Sequence, residues 1–213
     1  MIYSKTNNFL FIHIPKTAGT SIRQVLEPYG GKPGLKNFLA RRNQNLIPVI
    51  NKIFNLNAFR TYDAHTTYED VLKILGEKEL NSLYKFAFVR NPYSRLYSFY
   101  LHILAHPEHP WYSKIKNYGS FKTMLHNLED VNEPTQKSYV TDKNGKIVVD
   151  FIGHLENIDE DFKKICKEIN VPYNLPRANA RKHKAWQEVY DEEDLNLAYK
   201  YYKEDFDAFG YKK

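Results

Sequence analysis

Residues 9–26, FLFIHIPKTAGTSIRQVL, run from an unbroken apolar stretch through a turn of Pro15, Lys16, Thr17, Ala18, Gly19, Thr20 and Ser21 into a helical pattern. An apolar run of strand length that leads into a helix reads as a β-turn-α unit. The turn brings a lysine, three hydroxyls and the N–H groups of a helix start, which are the parts of a phosphate cradle. It is not a Walker A loop, because aligning that motif's Lys-Thr on Lys16-Thr17 puts Leu10 and Pro15 where its glycines belong. Taken alone, a capped strand-to-helix turn with an exposed lysine explains these residues equally well.

A second stretch breaks the tie. Residues 85–100, KFAFVRNPYSRLYSFY, repeat the architecture: an apolar strand, Arg90 at its carboxyl end, Asn91 as N-cap and Pro92 in the first helical turn. Helical side chains lean toward the N-terminus, so Ser98 and Arg90 are placed to converge on one anion. A nucleoside triphosphatase carries a Mg²⁺-binding aspartate at such a strand end, whereas this chain carries an arginine. Ligands of open α/β sheets sit beyond the carboxyl ends of strands, so the two loops suit one ligand with phosphates at two positions and need no metal between them.

Further strand-like runs at 59–64, 83–89 and 147–152 alternate with helical segments, which predicts an α/β fold with a largely parallel sheet. The 213 residues fit one domain, 1–213, with 42% hydrophobic residues to build its core. Residues 30–36 read as a loop, 37–54 as mainly helical, 106–119 as irregular, and a last helix starts near Asp191. The single cysteine, Cys166, shares a helical face with Phe162, Ile165 and Ile169 and reads as a core thiol. A net charge of +6 favours anionic partners, but motifs for nucleic-acid recognition are absent and that class is set aside. No signal peptide or membrane-spanning run is visible, which favours a soluble cytoplasmic protein.

The two motifs together resemble those of sulfotransferases that use 3′-phosphoadenosine 5′-phosphosulfate (PAPS). HIPKTAGTS is similar to their 5′-phosphosulfate loop and VRNPYSRLYSFY to their 3′-phosphate motif. The likeness is greatest to the carbohydrate enzymes of the heparan sulfate 2-O and chondroitin 4-O type, and it extends through QKSYVTDKNGKIVVDFIGHLENIDEDF to YKEDFDAFGY. The resemblance implies a three-layer, P-loop-like α/β fold with a mainly parallel central sheet flanked by helices. It implies that Lys16, Thr17, Ala18, Gly19, Thr20 and Ser21 contact the 5′ phosphosulfate and that Arg90 and Ser98 take the 3′ phosphate. PAPS would be the co-substrate, no metal is expected, and the acceptor would be a hydroxyl of a glycan or another hydroxyl compound such as a small metabolite or a protein tyrosine, with an acidic acceptor among the options.

Sulfuryl transfer needs a base for the acceptor proton and a positive charge facing the leaving phosphate. Lys16 is the electrostatic candidate. His65 lies just before a helix start where Thr66 with Glu69, or Thr67 with Asp70, forms a capping box. The positive pole of that helix favours a neutral imidazole, the form a base takes. In the resembling family a catalytic histidine occupies a similar His-x-x-Tyr setting, here His65 and Tyr68. Glu69 is the competing base. Arg95 matches a position that is commonly basic in the resembling motif and reads equally as a solvated charge or salt-bridge partner, and His102, His106 and His109 read as an acceptor-pocket wall or plain surface rather than a zinc site. The basic run Arg177, Arg181, Lys182, His183 and Lys184 is a solvated loop or a nucleotide contact. The rivals are a P-loop kinase or triphosphatase and a non-catalytic module for acidic glycans on the same fold.

Overall fold

The computed structural model describes residues 1–30, 66–176 and 184–213. Among them, four strands form one sheet in the order β1 (Ile2–Ser4), β2 (Phe9–Ile12), β3 (Tyr84–Val89) and β4 (Phe151–His154). β2, β3 and β4 are parallel, and β1 pairs antiparallel with β2 at the edge. The sheet is therefore small, mixed and mostly parallel. Every residue of β2, and every residue of β3 after Tyr84, is buried, as expected for parallel strands covered on both faces.

The alternation of side chains sorts the core into two layers. Phe9, Phe11, Phe86 and Phe88 pack with Ile22 and Leu26 of α1 (Gly19–Leu26) and with Phe162, Ile165 and Cys166 of the 158–168 helix. Leu10, Ile12, Ala87 and Val89 face the other way, toward Val71 of α2 (Tyr68–Leu75) and Leu80. A third cluster joins α3 (Pro92–Leu104) to the long C-terminal helix through Leu96, Phe99, Tyr202 and Phe206. We label the 158–168 helix α4 (Ile158–Glu168) and the C-terminal one α5 (Glu192–Phe209). Cys166 is buried as a core thiol, and burial pushes its pKa up to about 11.

Register between β3 and β4 has a polar lock. Asp150 accepts from the Lys85 N–H at 2.7 Å and pairs with the buried Lys85 Nζ at 2.8 Å, while its own N–H donates to the Lys85 carbonyl at 2.7 Å. Downstream, Phe88 sits opposite Gly153, and a Cβ there would lie 2.5 Å from the Phe88 ring.

Several expectations hold and others shift. Asn91 caps α3 by accepting from the Ser94 N–H, Pro92 opens the helix, and Asp191 caps α5. The capping box of α2 is Thr67 with Asp70; Glu69 instead accepts from the Lys143 N–H at 3.1 Å. The run at 147–152 is not one strand. The turn at 142–145 directs Ile147 to a bridge with Thr141, and the chain joins the main sheet only at Phe151. Part of the segment expected to be irregular, Tyr112–Asn117, is helical around the buried Ile115. β1 escaped notice because three residues are too few for a periodic signal. The expected strand at 59–64, the helix at 37–54, residues 31–36 of the loop, His65, and Arg177 to His183 lie outside the described residues.

Gly153→Ala should force the buried Phe88 ring off its site and lower stability by about 1–3 kcal/mol. For a domain of this size that corresponds to about 2–4 °C in Tm per kcal/mol. Urea denaturation with an unchanged m-value checks it; a variant as stable as the parent would show that the sheet has room there.

Candidate functional site

The loop between β2 and α1 carries an unusual backbone. Lys16 and Ala18, neither of them glycine, both adopt left-handed conformations, with φ of 68° and 64°. Such residues cost of order 1–3 kcal/mol each and persist only where surrounding contacts hold them. Thr17, between them, is fully buried, and its hydroxyl donates to the Ile14 carbonyl at 2.8 Å. It fastens the loop from inside and does not line the cavity described below.

α1 begins at Gly19 with Ala18 as N-cap, and no side chain caps it. Its first N–H groups are thus left to be satisfied from outside the helix, beside the positive end of its dipole. Gly19 has a steric reason to be glycine: a Cβ would overlap the His13 ring, 1.8 Å from Nε2. His13 opens the HIPKTAGTS stretch, but its packing against Gly19 shows only in the fold.

Arg95 of α3 holds this loop. Its guanidinium donates to the Pro15 carbonyl at 3.2 Å and the Pro134 carbonyl at 3.1 Å, and it pairs with Glu133 at 2.5 Å. Both partners are buried. Burial lifts the Glu133 carboxyl above its ordinary range, and the arginine charge opposes that lift. Arg95 is thus a buried salt-bridge partner and not a solvated charge.

Arg90 lies at the carboxyl end of β3. Its Nε donates to Ser94 Oγ at 2.9 Å and its Nη1 reaches the Lys16 carbonyl at 3.4 Å, so it touches the first loop directly. The buried Gln136 amide grips its backbone on both sides at 2.8 Å, and the Gln136 N–H donates in turn to Asp205 of α5. Among the described residues no carboxylate stands within ion-pair distance of the Arg90 guanidinium. Its desolvation lowers the arginine's pKa, partly offset by the charge of Glu156. A half-desolvated cation without a contacting carboxylate is prepared for an external anion. Ser94 and Gln136 were missed in the sequence, since neither looks chemical until the arginine they orient is located.

These elements meet at one cavity of about 1220 Å³. Lys16, Ala18, Gly19, Thr20, Ser21, Arg90 and Ser98 all line it, so seven of the expected contacts share one space; His65 lies outside the described residues. Single-ligand pockets span about 300–1,000 Å³, so this volume exceeds that of a site for one small ligand. His102, His106, His109 and Trp111 form another part of the lining. Among the described residues no group of three His, Cys, Asp or Glu is placed to hold a metal ion, and no helix is long and apolar enough to cross a membrane.

Glu133→Ala leaves a buried arginine charge uncompensated and should destabilise the protein by about 3–5 kcal/mol. Chemical denaturation measures this. A loss under 1 kcal/mol would mean that the pair does not hold the loop.

An uncharacterised protein of Archaeoglobus fulgidus is 31% identical over 106 residues, which cover 47% of this chain and 79% of that protein. No solved structure matches the chain. The model of the sulfotransferase family matches residues 1–212, nearly the whole length, and the chain belongs to that family.

Proposed function

We propose that this sulfotransferase moves the sulfuryl group of PAPS to a carbohydrate hydroxyl, and that its fold is the P-loop-like three-layer arrangement of the carbohydrate enzymes. The observation that carries the reading is the meeting of two anion-seeking strand ends in one cavity: the uncapped α1 with Lys16, and Arg90 with Ser98. Their separate origins, after β2 and after β3, suit a nucleotide phosphorylated at two positions. The sheet's parallel strands bring both carboxyl ends to one edge.

In this reading the N–H groups of Gly19, Thr20 and Ser21, with the Thr20 and Ser21 hydroxyls, hold the 5′ phosphosulfate. Ala18 contributes backbone, and Thr17 acts by holding the loop in shape. Arg90 and Ser98 bind the 3′ phosphate, with Ser94 setting the plane of the guanidinium. Lys16 steadies the charge that grows on the departing phosphate and donates to the bridging oxygen. His65, two residues ahead of the cap Thr67, takes the acceptor proton as the hydroxyl attacks sulfur. Positioning and electrostatics supply the acceleration, so no metal is called for. Glu69 is a weaker base candidate, because its carboxylate is engaged by the Lys143 backbone and does not line the cavity.

Adenosine 3′,5′-bisphosphate at 100 times its Kd should stabilise the fold by about 2.7 kcal/mol, visible as a rise in Tm. ATP with Mg²⁺ should do much less; the reverse order would favour a kinase or triphosphatase. With labelled PAPS and a glycan panel, Lys16→Ala and His65→Ala should each abolish transfer. His65→Ala should keep the bisphosphate-induced Tm rise. Parental turnover in His65→Ala would remove it as the base, and binding of PAPS without transfer to any acceptor would favour a glycan-binding module.

A further inference from the structure

The part of the cavity built by the C-terminal half of α3 and the turn after it has a chemistry of its own. It presents Phe99, Leu101, His102, His106, His109 and Trp111, and none of the residues that line it between 98 and 111 carries a permanent charge. Among the described residues, the lysine and arginines that line the cavity, Lys16, Arg23 and Arg90, come instead from α1, the loop before it and the end of β3.

Hydrogen bonds fix two of the imidazoles in opposite senses. His106 Nδ1 donates to the His102 carbonyl at 2.7 Å, so in the neutral ring its Nε2 is an acceptor. The Trp111 N–H donates to His109 Nδ1 at 3.2 Å, so the Nε2 of that neutral ring carries the hydrogen and is a donor. The His102 ring stands between them, 4.1 Å from His106 and 6.1 Å from His109 by centroids. The Trp111 indole is set edge-on against Phe99 at 5.5 Å and 79°. With the Nδ1 atoms of His106 and His109 engaged, the Nε2 atoms of these two rings supply one acceptor and one donor beside an aromatic plate.

We propose that this wall is the acceptor subsite and that it takes an uncharged, polyhydroxylated ring, a neutral sugar. The proposal rests on the sulfuryl-transfer reading above and narrows its acceptor. A hydroxyl both donates and accepts, so two neighbouring hydroxyls satisfy His106 and His109 together. A phenol brings only one. The apolar C–H face of the sugar lies on the amphipathic Trp111 ring, which needs no charge to bind it. Among the described residues this wall offers a polyanionic glycan no lysine or arginine, which favours a neutral acceptor over an acidic one. The imidazoles bind and orient the acceptor; they are positioning residues and the proton goes elsewhere.

The chain has two tryptophans, and Trp186 stacks on Tyr93 at 5.0 Å, so Trp186→Phe leaves Trp111 as the sole indole reporter. In that background, without nucleotide, a panel of neutral disaccharides, a heparin-derived disaccharide and phenol are titrated while Trp111 emission is followed. At least one neutral disaccharide should give a saturable shift, and the heparin fragment and phenol should bind at least tenfold more weakly. Adding His106→Ala should weaken the sugar about tenfold, and His106→Gln, which restores an acceptor, should recover part of the loss. Calorimetry with adenosine 3′,5′-bisphosphate should give the same affinity in both variants, which separates a subsite effect from unfolding. Preference for the heparin fragment or phenol, or no shift with any neutral disaccharide, overturns the proposal. Failure of the parent protein to bind the bisphosphate would overturn the sulfuryl-transfer reading and with it the wall's role as an acceptor subsite, while the sugar titration, read independently, still shows whether the wall binds a neutral sugar.

Discussion

The contact on which the site depends is the buried pair of Arg95 and Glu133. Arg95 reaches from α3 across to the Pro15 carbonyl, at the start of a loop whose Lys16 and Ala18 sit in left-handed conformations. A non-glycine backbone of that kind relaxes unless packing over-determines it. Here the guanidinium holds the loop from one side and the buried Thr17 hydroxyl from the other. The residue that neutralises Arg95 is itself tied to the core through its backbone, since the Glu133 main-chain carbonyl accepts from the Tyr202 hydroxyl of α5 at 3.4 Å. Breaking such a pair by removing one partner is far costlier than its net worth, which makes it a rigid support.

The second loop is held by a separate chain of contacts with the same logic. Asp205 on α5 receives the N–H groups of Gln136 and Lys137, and Gln136 clamps the Arg90 backbone. Burial raises the Asp205 carboxyl, and those N–H donors counter the rise. The C-terminal helix thereby supports the segments that hold both strand-end loops through different residues, Tyr202 and Asp205. Its 18 residues lie far from the loops in sequence, yet they determine how firmly Lys16 and Arg90 face one cavity.

The parts of this arrangement legible in the sequence were those encoded locally. A run such as Phe9–Ile12, fully buried, announces a strand, and Asn91-Pro92 announces a helix start. Lys16, Gly19 and Arg90 stood out because their residue types at strand ends carry chemistry. The supports were not legible, because they depend on contacts between distant segments: Gln136 meets Arg90 across 46 positions and Arg95 meets Pro15 across 80. For the same reason the segment at 147–152 read as one strand, since nothing local reveals that Thr141 pairs with Ile147 outside the main sheet. The histidines at 102, 106 and 109 were visible as a cluster, but only their hydrogen bonds distinguish an acceptor nitrogen from a donor.

The central claim is that two phosphates are bound at two strand ends by one cavity. Calorimetric affinities for adenosine 3′,5′-bisphosphate, adenosine 5′-phosphate and adenosine 3′-phosphate test it directly. Hydrogen bonds to charged groups contribute about 1.5–3 kcal/mol, so each monophosphate should bind about 10- to 150-fold more weakly than the bisphosphate. Equal affinity for the bisphosphate and either monophosphate would contradict the account, because one of the two loops would then hold nothing.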